Sequence, residues 1–197
     1  LLRRDLSPEA HRALIDYAAQ RGIKFLSTAF DLDSIDFLHS LQLDFWKIPS
    51  GEITNLPYLR KIASLGGKVV MSTGMCDISD VLAAVDALTD AGVKRDDIVL
   101  MHCNTQYPTP FADVNLLAMR HLASATGLSV GYSDHTVGIE MPIAAVALGA
   151  CVIEKHITLD RALPGPDQAA SIEPAELRQM VSAIRNIELA LGTGVKE

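Results

Sequence analysis

Two stretches of this sequence carry a histidine at the end of a short apolar, β-branched run. They are Val130-Gly-Tyr-Ser-Asp-His-Thr136 and Cys151-Val-Ile-Glu-Lys-His-Ile-Thr158. A lone histidine at a strand end is more often a helix cap or a core residue. Two on consecutive parallel strands would lie side by side, and a pair of imidazoles suits Mn, Fe, Co or Zn. Strand side chains alternate, so Ser133 shares a face with His135 and Glu154 shares one with His156. Some of Asp134, Glu154 and Lys155 must then turn into the wall.

A second cluster lies in Lys47-Ile-Pro-Ser-Gly-Glu52, which places a cation, a hydroxyl and a carboxylate at one strand end. A lysine directly after Phe45-Trp46 is costly to bury unless it meets an anion. The bland reading is a lysine paired to a nearby carboxylate. The functional one is a phosphate clamp, with Ser50 and backbone amides beside Gly51 as further donors. Ser27-Thr28 and Ser72-Thr73-Gly74 each end an apolar run in hydroxyls. Singly they read as turn formers or caps; with Ser50 and Ser133 they would ring one face with hydroxyls. In His102-Cys-Asn-Thr-Gln-Tyr-Pro-Thr-Pro110, His102 reads as a satisfied core residue and Cys103 as a small buried hydrophobe. Asn104 and Tyr107 are better placed to touch a substrate. Leu163-Pro-Gly-Pro-Asp167 is a stiff loop that offers Asp167 to a hydroxylated ligand.

The elements that must position these groups alternate β and α. Helical spacing predicts helices over Pro8–Gly22, Asp33–Leu41, Pro57–Leu65, Ser79–Ala91, Asn115–Ala123, Pro142–Gly149 and Pro174–Leu191. Between them, strands are predicted over Ile23–Phe30, Phe45–Ser50, Lys68–Thr73 and Ile98–Cys103, followed by the two histidine stretches. Strand ends at Thr28, Ser50, Thr73, Asn104, His135 and His156 recur every ~21–31 residues, the length of a strand plus a crossover helix. Such alternation gives a parallel sheet, open and doubly wound or closed as a (β/α)8 TIM barrel. No G-x-G-x-x-G fingerprint is present, and nearly every strand ends in polar residues, which favours the barrel. Six strands are two short of eight, so the chain is expected to be a fragment covering roughly strands 3 to 8, its first two strands preceding Leu1.

Composition bounds the partners. The 197 residues are 49% hydrophobic with a formal net charge of −7, enough for one large core. A sequence pI near 5.3 speaks against a nucleic-acid partner. No apolar run is long enough to span a membrane, and no signal peptide is expected from Leu1-Leu-Arg-Arg-Asp5. Cys76, Cys103 and Cys151 lie far apart, which fits a reducing cytoplasm better than a disulfide framework or a thiolate zinc site.

Taken together, Phe25-Leu-Ser-Thr-Ala-Phe30, Lys47-Ile-Pro-Ser-Gly-Glu-Ile-Thr-Asn55, Ser72-Thr-Gly-Met75, His102 to Pro110, Gly131-Tyr-Ser-Asp-His-Thr136, Glu154-Lys-His156 and Pro164-Gly-Pro-Asp167 resemble the sialic acid synthase family. That family includes N-acetylneuraminate, legionaminate and pseudaminate synthases, and the resemblance covers essentially the whole chain. It implies a barrel that condenses phosphoenolpyruvate with an open-chain, N-acetylmannosamine-like amino sugar and water, giving a nonulosonic acid and phosphate. A diacetamido deoxyhexose acceptor is the alternative. The resemblance further implies a divalent metal, Mn2+ or Mg2+, on His135 and His156, and a phosphate grip from Lys47, Thr28, Ser50, Ser72 and Ser133. By the same resemblance Glu52 helps to handle a proton or water, while Tyr107 and Asp167 touch the sugar. In the family a C-terminal antifreeze-like domain donates an arginine to the partner subunit's site, which implies a homodimer for the full-length protein. A rival, an octulosonate-type synthase acting on a phosphorylated aldose, should need a second basic cluster, and only Lys155 and Arg161 lie near the rim. A barrel that merely binds sugar acids should lack the histidine pair or Lys47.

Overall fold

A computed structural model of the protein describes residues 6–196. Five parallel strands form one sheet in the order β1-β2-β3-β4-β5. They are β1 Phe45–Ile48, β2 Lys68–Ser72, β3 Ile98–Cys103, β4 Ser129–Asp134 and β5 Ile153–Lys155. Among the described residues seven α-helices accompany them: α1 Pro8–Gln20, α2 Leu32–Ser40, α3 Leu56–Leu65, α4 Ile78–Asp90, α5 Ala118–Thr126, α6 Glu140–Ala147 and α7 Pro174–Ala190. A doubly wound sheet reverses its strand order at a switch point. Here the order never reverses, as in the wall of a barrel.

Curvature points the same way. Across four strand spacings of about 4.8 Å, β1 and β5 would stand roughly 19 Å apart in a flat sheet. Yet the Lys47 Nζ of β1 lies 3.5 Å from Glu154 Oε2 of β5. Two side chains of that length meet only if the sheet bends round and brings its first and last strands toward each other. The architecture is therefore a parallel α/β half-barrel.

The register assigns the two faces. Ile48, Val69, Met71, Ile98, Leu100, Val130 and Tyr132 lie on the outer face, buried in a core shared with helix residues such as Leu59, Ile62, Val85, Leu88 and Met119. The concave face carries Lys47, Val70, Ser72, Met101, Cys103, Gly131, Ser133 and Glu154, aligned through the pairs Lys47–Val70, Ser72–Met101, Cys103–Ser133 and Ser133–Glu154. Its floor is apolar and its carboxyl end polar. Gly131 is required on that floor, since a Cβ there would sit 2.5 Å from Met101 Sδ and 2.6 Å from the Val152 carbonyl oxygen.

Local signals explain the helix starts. Ser7 caps α1 by accepting from the Ala10 amide at 3.2 Å, and Asn55 caps α3 with Pro57 in its first turn. Asp77 and Asp80 close a reciprocal capping box on α4. Asn115 has φ +49°, a left-handed backbone that a helix cannot contain, so α5 begins at Ala118 and not at Asn115 as the spacing predicts.

One predicted strand is absent. Ile23–Phe30 runs without strand pairing and is held by side chains. Tyr58 donates to the Ala29 carbonyl at 2.8 Å, His11 Nε2 lies 3.2 Å from Ser27 Oγ, and Lys24 pairs with Asp44 at 3.0 Å. Alternating apolar residues favour an extended backbone, but a strand exists only where a neighbour supplies amides and carbonyls. The second histidine stretch also narrows to Ile153–Lys155, after which the chain leaves the ladder for an isolated bridge between Ile157 and Ile172.

Candidate active site

The carboxyl ends of β1 to β5 gather most of the polar residues singled out in the sequence. Lys47, only 14% exposed, donates from Nζ to Ser72 Oγ at 2.8 Å. Across the concave face Ser133 donates to Glu154 Oε1 at 2.8 Å, and the other oxygen of Glu154 faces Lys47. The four residues form one chain, Ser72–Lys47–Glu154–Ser133. Glu154 is the member that the sequence did not nominate. Its place opposite Ser133 follows from strand alternation, but its meeting with Lys47 depends on sheet curvature.

The histidines stand at the ends of the last two strands with ring centroids 5.2 Å apart, roughly edge to face. Tyr107 completes the aromatic cluster, 3.9 Å from the His135 ring and 5.5 Å from that of His156. The Nδ1 of His135 lies 2.6 Å from the Asn104 carbonyl oxygen. A carbonyl only accepts, so Nδ1 carries the hydrogen and Nε2 keeps a lone pair. Burial, more than the neighbouring His156, lowers the His135 pKa and favours the neutral ring. Asp167 approaches His156, with Oδ2 3.8 Å from Nδ1, beyond hydrogen-bond reach.

Ser50 Oγ accepts from the Gly74 amide at 3.0 Å and lies 3.4 Å from Cys103 Sγ, so it belongs to the same rim. A Cβ on Gly74 would come within 2.7 Å of the Thr105 methyl carbon and 2.9 Å of Ser50 Oγ, which explains the glycine after Ser72-Thr73. Asn104 donates to the Asp113 carbonyl at 2.8 Å, while its Oδ1 is buried with no partner among the described residues. Glu52 sits on the 3-10 turn Ser50–Glu52 and accepts from Asn55 at 2.7 Å, apart from the Lys47 chain. Thr28 lines a separate cleft with His11, Ser27 and Asp31. His102 lies in the outer layer, where its Nε2 donates to the Val114 carbonyl at 2.8 Å.

Beneath the histidines, on the outer side, Asp134 and Lys155 form a buried ion pair at 2.6 Å, with side chains 0% and 2% exposed. Asp134 also accepts from Tyr132, and from the Thr136 amide and hydroxyl. Removing one partner of such a pair leaves a bare buried charge, which costs about 3–5 kcal/mol. Asp134→Ala is therefore expected to lower unfolding stability by that order, read as a fall in the urea midpoint. A loss below about 1 kcal/mol would mean that Lys155 finds another partner or reaches water.

Among the described residues no group of three or more His, Cys, Asp or Glu side chains gathers closely enough to enclose an ion. Two imidazoles, one of them with a free lone pair already oriented, fit an open site, where water and substrate oxygens supply the other ligands, and not a closed structural one.

Comparison with known proteins adds to this geometry. The NeuB family profile matches residues 2–196. The chain is 54% identical to the N,N'-diacetyllegionaminic acid synthase of Campylobacter jejuni, covering 98% of this chain and 58% of that protein. It is 50% identical to the protein of the same name from Legionella pneumophila, covering 98% of this chain and 55% of the other. The chain thus spans a little over half the length of these curated relatives. Among solved structures, the N-acetylneuraminic acid (sialic acid) synthetase of Leptospira borgpetersenii superposes with a TM-score of 0.92 at 35% identity, over 98% of this chain and 67% of that one.

Proposed function

This chain belongs to the NeuB family, and on that premise we propose that the whole protein is a phosphoenolpyruvate-dependent synthase of a nonulosonic acid. The observation that carries this reading is the concave face, where the Ser72–Lys47–Glu154–Ser133 chain stands beside His135 and His156. On the same reading the extended segment Ile23–Phe30 occupies the place of strand 3 of a barrel, and the five paired strands are strands 4 to 8.

Lys47 and Ser72 are suited to hold the phosphate of phosphoenolpyruvate, with Ser50 and Ser133 as further hydroxyl donors, whereas Thr28, in its separate cleft, is left out of this grip. The methylene carbon of phosphoenolpyruvate attacks the sugar aldehyde carbon, and positive charge develops at the phosphate-bearing carbon. Water adds there, the carbon–oxygen bond breaks, and phosphate leaves toward the Lys47 ammonium. Holding both reactants on one rigid rim accounts for much of the rate. His135 and His156 would hold a divalent metal, Mn2+ or Mg2+, which when bound supplies Lewis acidity to the aldehyde oxygen. Tyr107 and Asp167 border the histidines where the sugar would lie.

The acceptor is a 2,4-diacetamido-6-deoxy hexose. The names of the two relatives at 54% and 50% identity support this over the N-acetylmannosamine expected from sequence. An unphosphorylated acceptor also suits the rim. Lys155 is committed to Asp134, and Arg161 bonds Glu176 at 2.5 Å, so neither is available to a distal phosphate. The full-length protein with phosphoenolpyruvate and Mn2+ is expected to release phosphate with the diacetamido sugar at least roughly 10²-fold more efficiently than with N-acetylmannosamine, because a missing acetamido group leaves site polar groups unpaired. The reverse preference would move the assignment to N-acetylneuraminate, and no product with either aldose would sink the synthase reading.

A further inference from the structure

The buried ion pair under the histidines has a role that burial energy does not explain. Replacing such a pair by apolar side chains of similar volume is often neutral or stabilising, so its presence is weak evidence of a stability device. Its connections are more telling. The Lys155 ammonium bonds Asp134 at 2.6 Å and also reaches the Thr136 carbonyl. Asp134 and Thr136 are the chain neighbours of His135, and Lys155 immediately precedes His156. One ammonium thus ties the backbone on both sides of the first histidine to the strand end that presents the second. Asp134 tightens the same turn by accepting from the Thr136 amide at 3.0 Å and from its hydroxyl at 3.2 Å. On the pocket side His135 has two further anchors, its ring to the Asn104 carbonyl and its own carbonyl to the Thr109 amide at 2.9 Å.

We propose that Asp134 and Lys155 are positioning residues that set the separation and orientation of the His135 and His156 rings from behind the sheet. Neither touches substrate. Both side chains face the helix layer while their backbones carry the histidines, so the pair fixes the one dimension that the strand ladder leaves soft, the splay of two strand ends beyond their last ladder bonds. The proposal rests on the reading of the two histidines as a metal pair, and its test separates the two.

The test uses the full-length protein with Asp134→Asn and Lys155→Met together, which removes both charges and leaves no bare one. Expected are a thermal midpoint close to wild type and an affinity for Mn2+, titrated without substrates, about 10- to 100-fold weaker, the loss usual when groups behind metal ligands are changed. The nitrogen-15 spectrum of the imidazoles should also lose the fixed Nδ1–H form of His135. Tyr132→Phe, which loosens Asp134 but leaves the Lys155 tie, should change neither. Wild-type Mn2+ affinity and an unchanged His135 tautomer in the double variant would overturn the proposal. If wild type itself binds no Mn2+, the metal reading fails, and the tautomer alone decides: its loss in the double variant supports positioning, and its retention overturns it. Should the double variant not fold, Asp134→Leu with Lys155→Met takes its place. Failure of both to fold would show that the pair is needed for folding itself and would equally overturn the proposal.

Discussion

Replacing His135 by alanine in the full-length protein is expected to abolish measurable Mn2+ binding and to cut turnover by about 10³-fold or more while the fold survives. His135 offers one of two imidazoles, and the single remaining ring of His156 is a weak site for a hydrated divalent ion. Polarisation of a carbonyl by a bound ion is worth several kcal/mol of barrier, and each 1.4 kcal/mol or so is a decade in rate. The structural cost is separate and smaller. Alanine leaves the Asn104 carbonyl without its 2.6 Å donor and opens space against the Tyr107 ring. An unpaired carbonyl costs about 1–3 kcal/mol, less here because Tyr107 is itself partly exposed and water can enter. Metal titration, phosphate release and a thermal melt on one preparation separate the two effects. Turnover within tenfold of wild type would remove His135 from any essential role.

Most of what places His135 was legible in the chain, and the reason is local. A run such as Val130 to Asp134 alternates strictly, so its face assignment needs no knowledge of the rest of the fold. The same rule sends Asp134 and Lys155 behind the sheet and Ser133 and Glu154 into the pocket, as found. Ser7, Pro57 and Gly22 likewise announce helix ends through effects confined to one turn. What could not be read needs several elements at once. The contact between Lys47 and Glu154 spans the whole sheet and exists only because the sheet curves. Ile23–Phe30 has the pattern of a strand, but pairing is a property of two segments, and pattern reports on one. The tautomer of His135 depends on a carbonyl 31 residues away, which spacing alone cannot bring within reach.

Lys47→Met should move activity and stability in different directions, which makes it a sharper test than most active-site changes. Methionine keeps the long apolar stem on the concave face and deletes only the ammonium. The phosphate then loses its nearest cation, both when phosphoenolpyruvate binds and when phosphate departs. Removal of one preorganised, charge-assisted donor costs on the order of 10²–10³-fold in kcat/KM. We expect that loss for phosphoenolpyruvate, shared between a higher KM and a lower kcat, with the KM for the sugar little changed. Stability should stay within about 1 kcal/mol of wild type or rise. An ammonium only 14% exposed is costly to desolvate, and its carboxylate partner Glu154, 42% exposed at 3.5 Å, keeps water and the Ser133 hydroxyl when the cation goes. If Lys47 were simply the structural mate of Glu154, the outcome would invert, with a clear drop in the melting midpoint and kcat/KM for phosphoenolpyruvate unchanged within threefold. Steady-state kinetics and a melt on the same sample decide between a clamp and a strut.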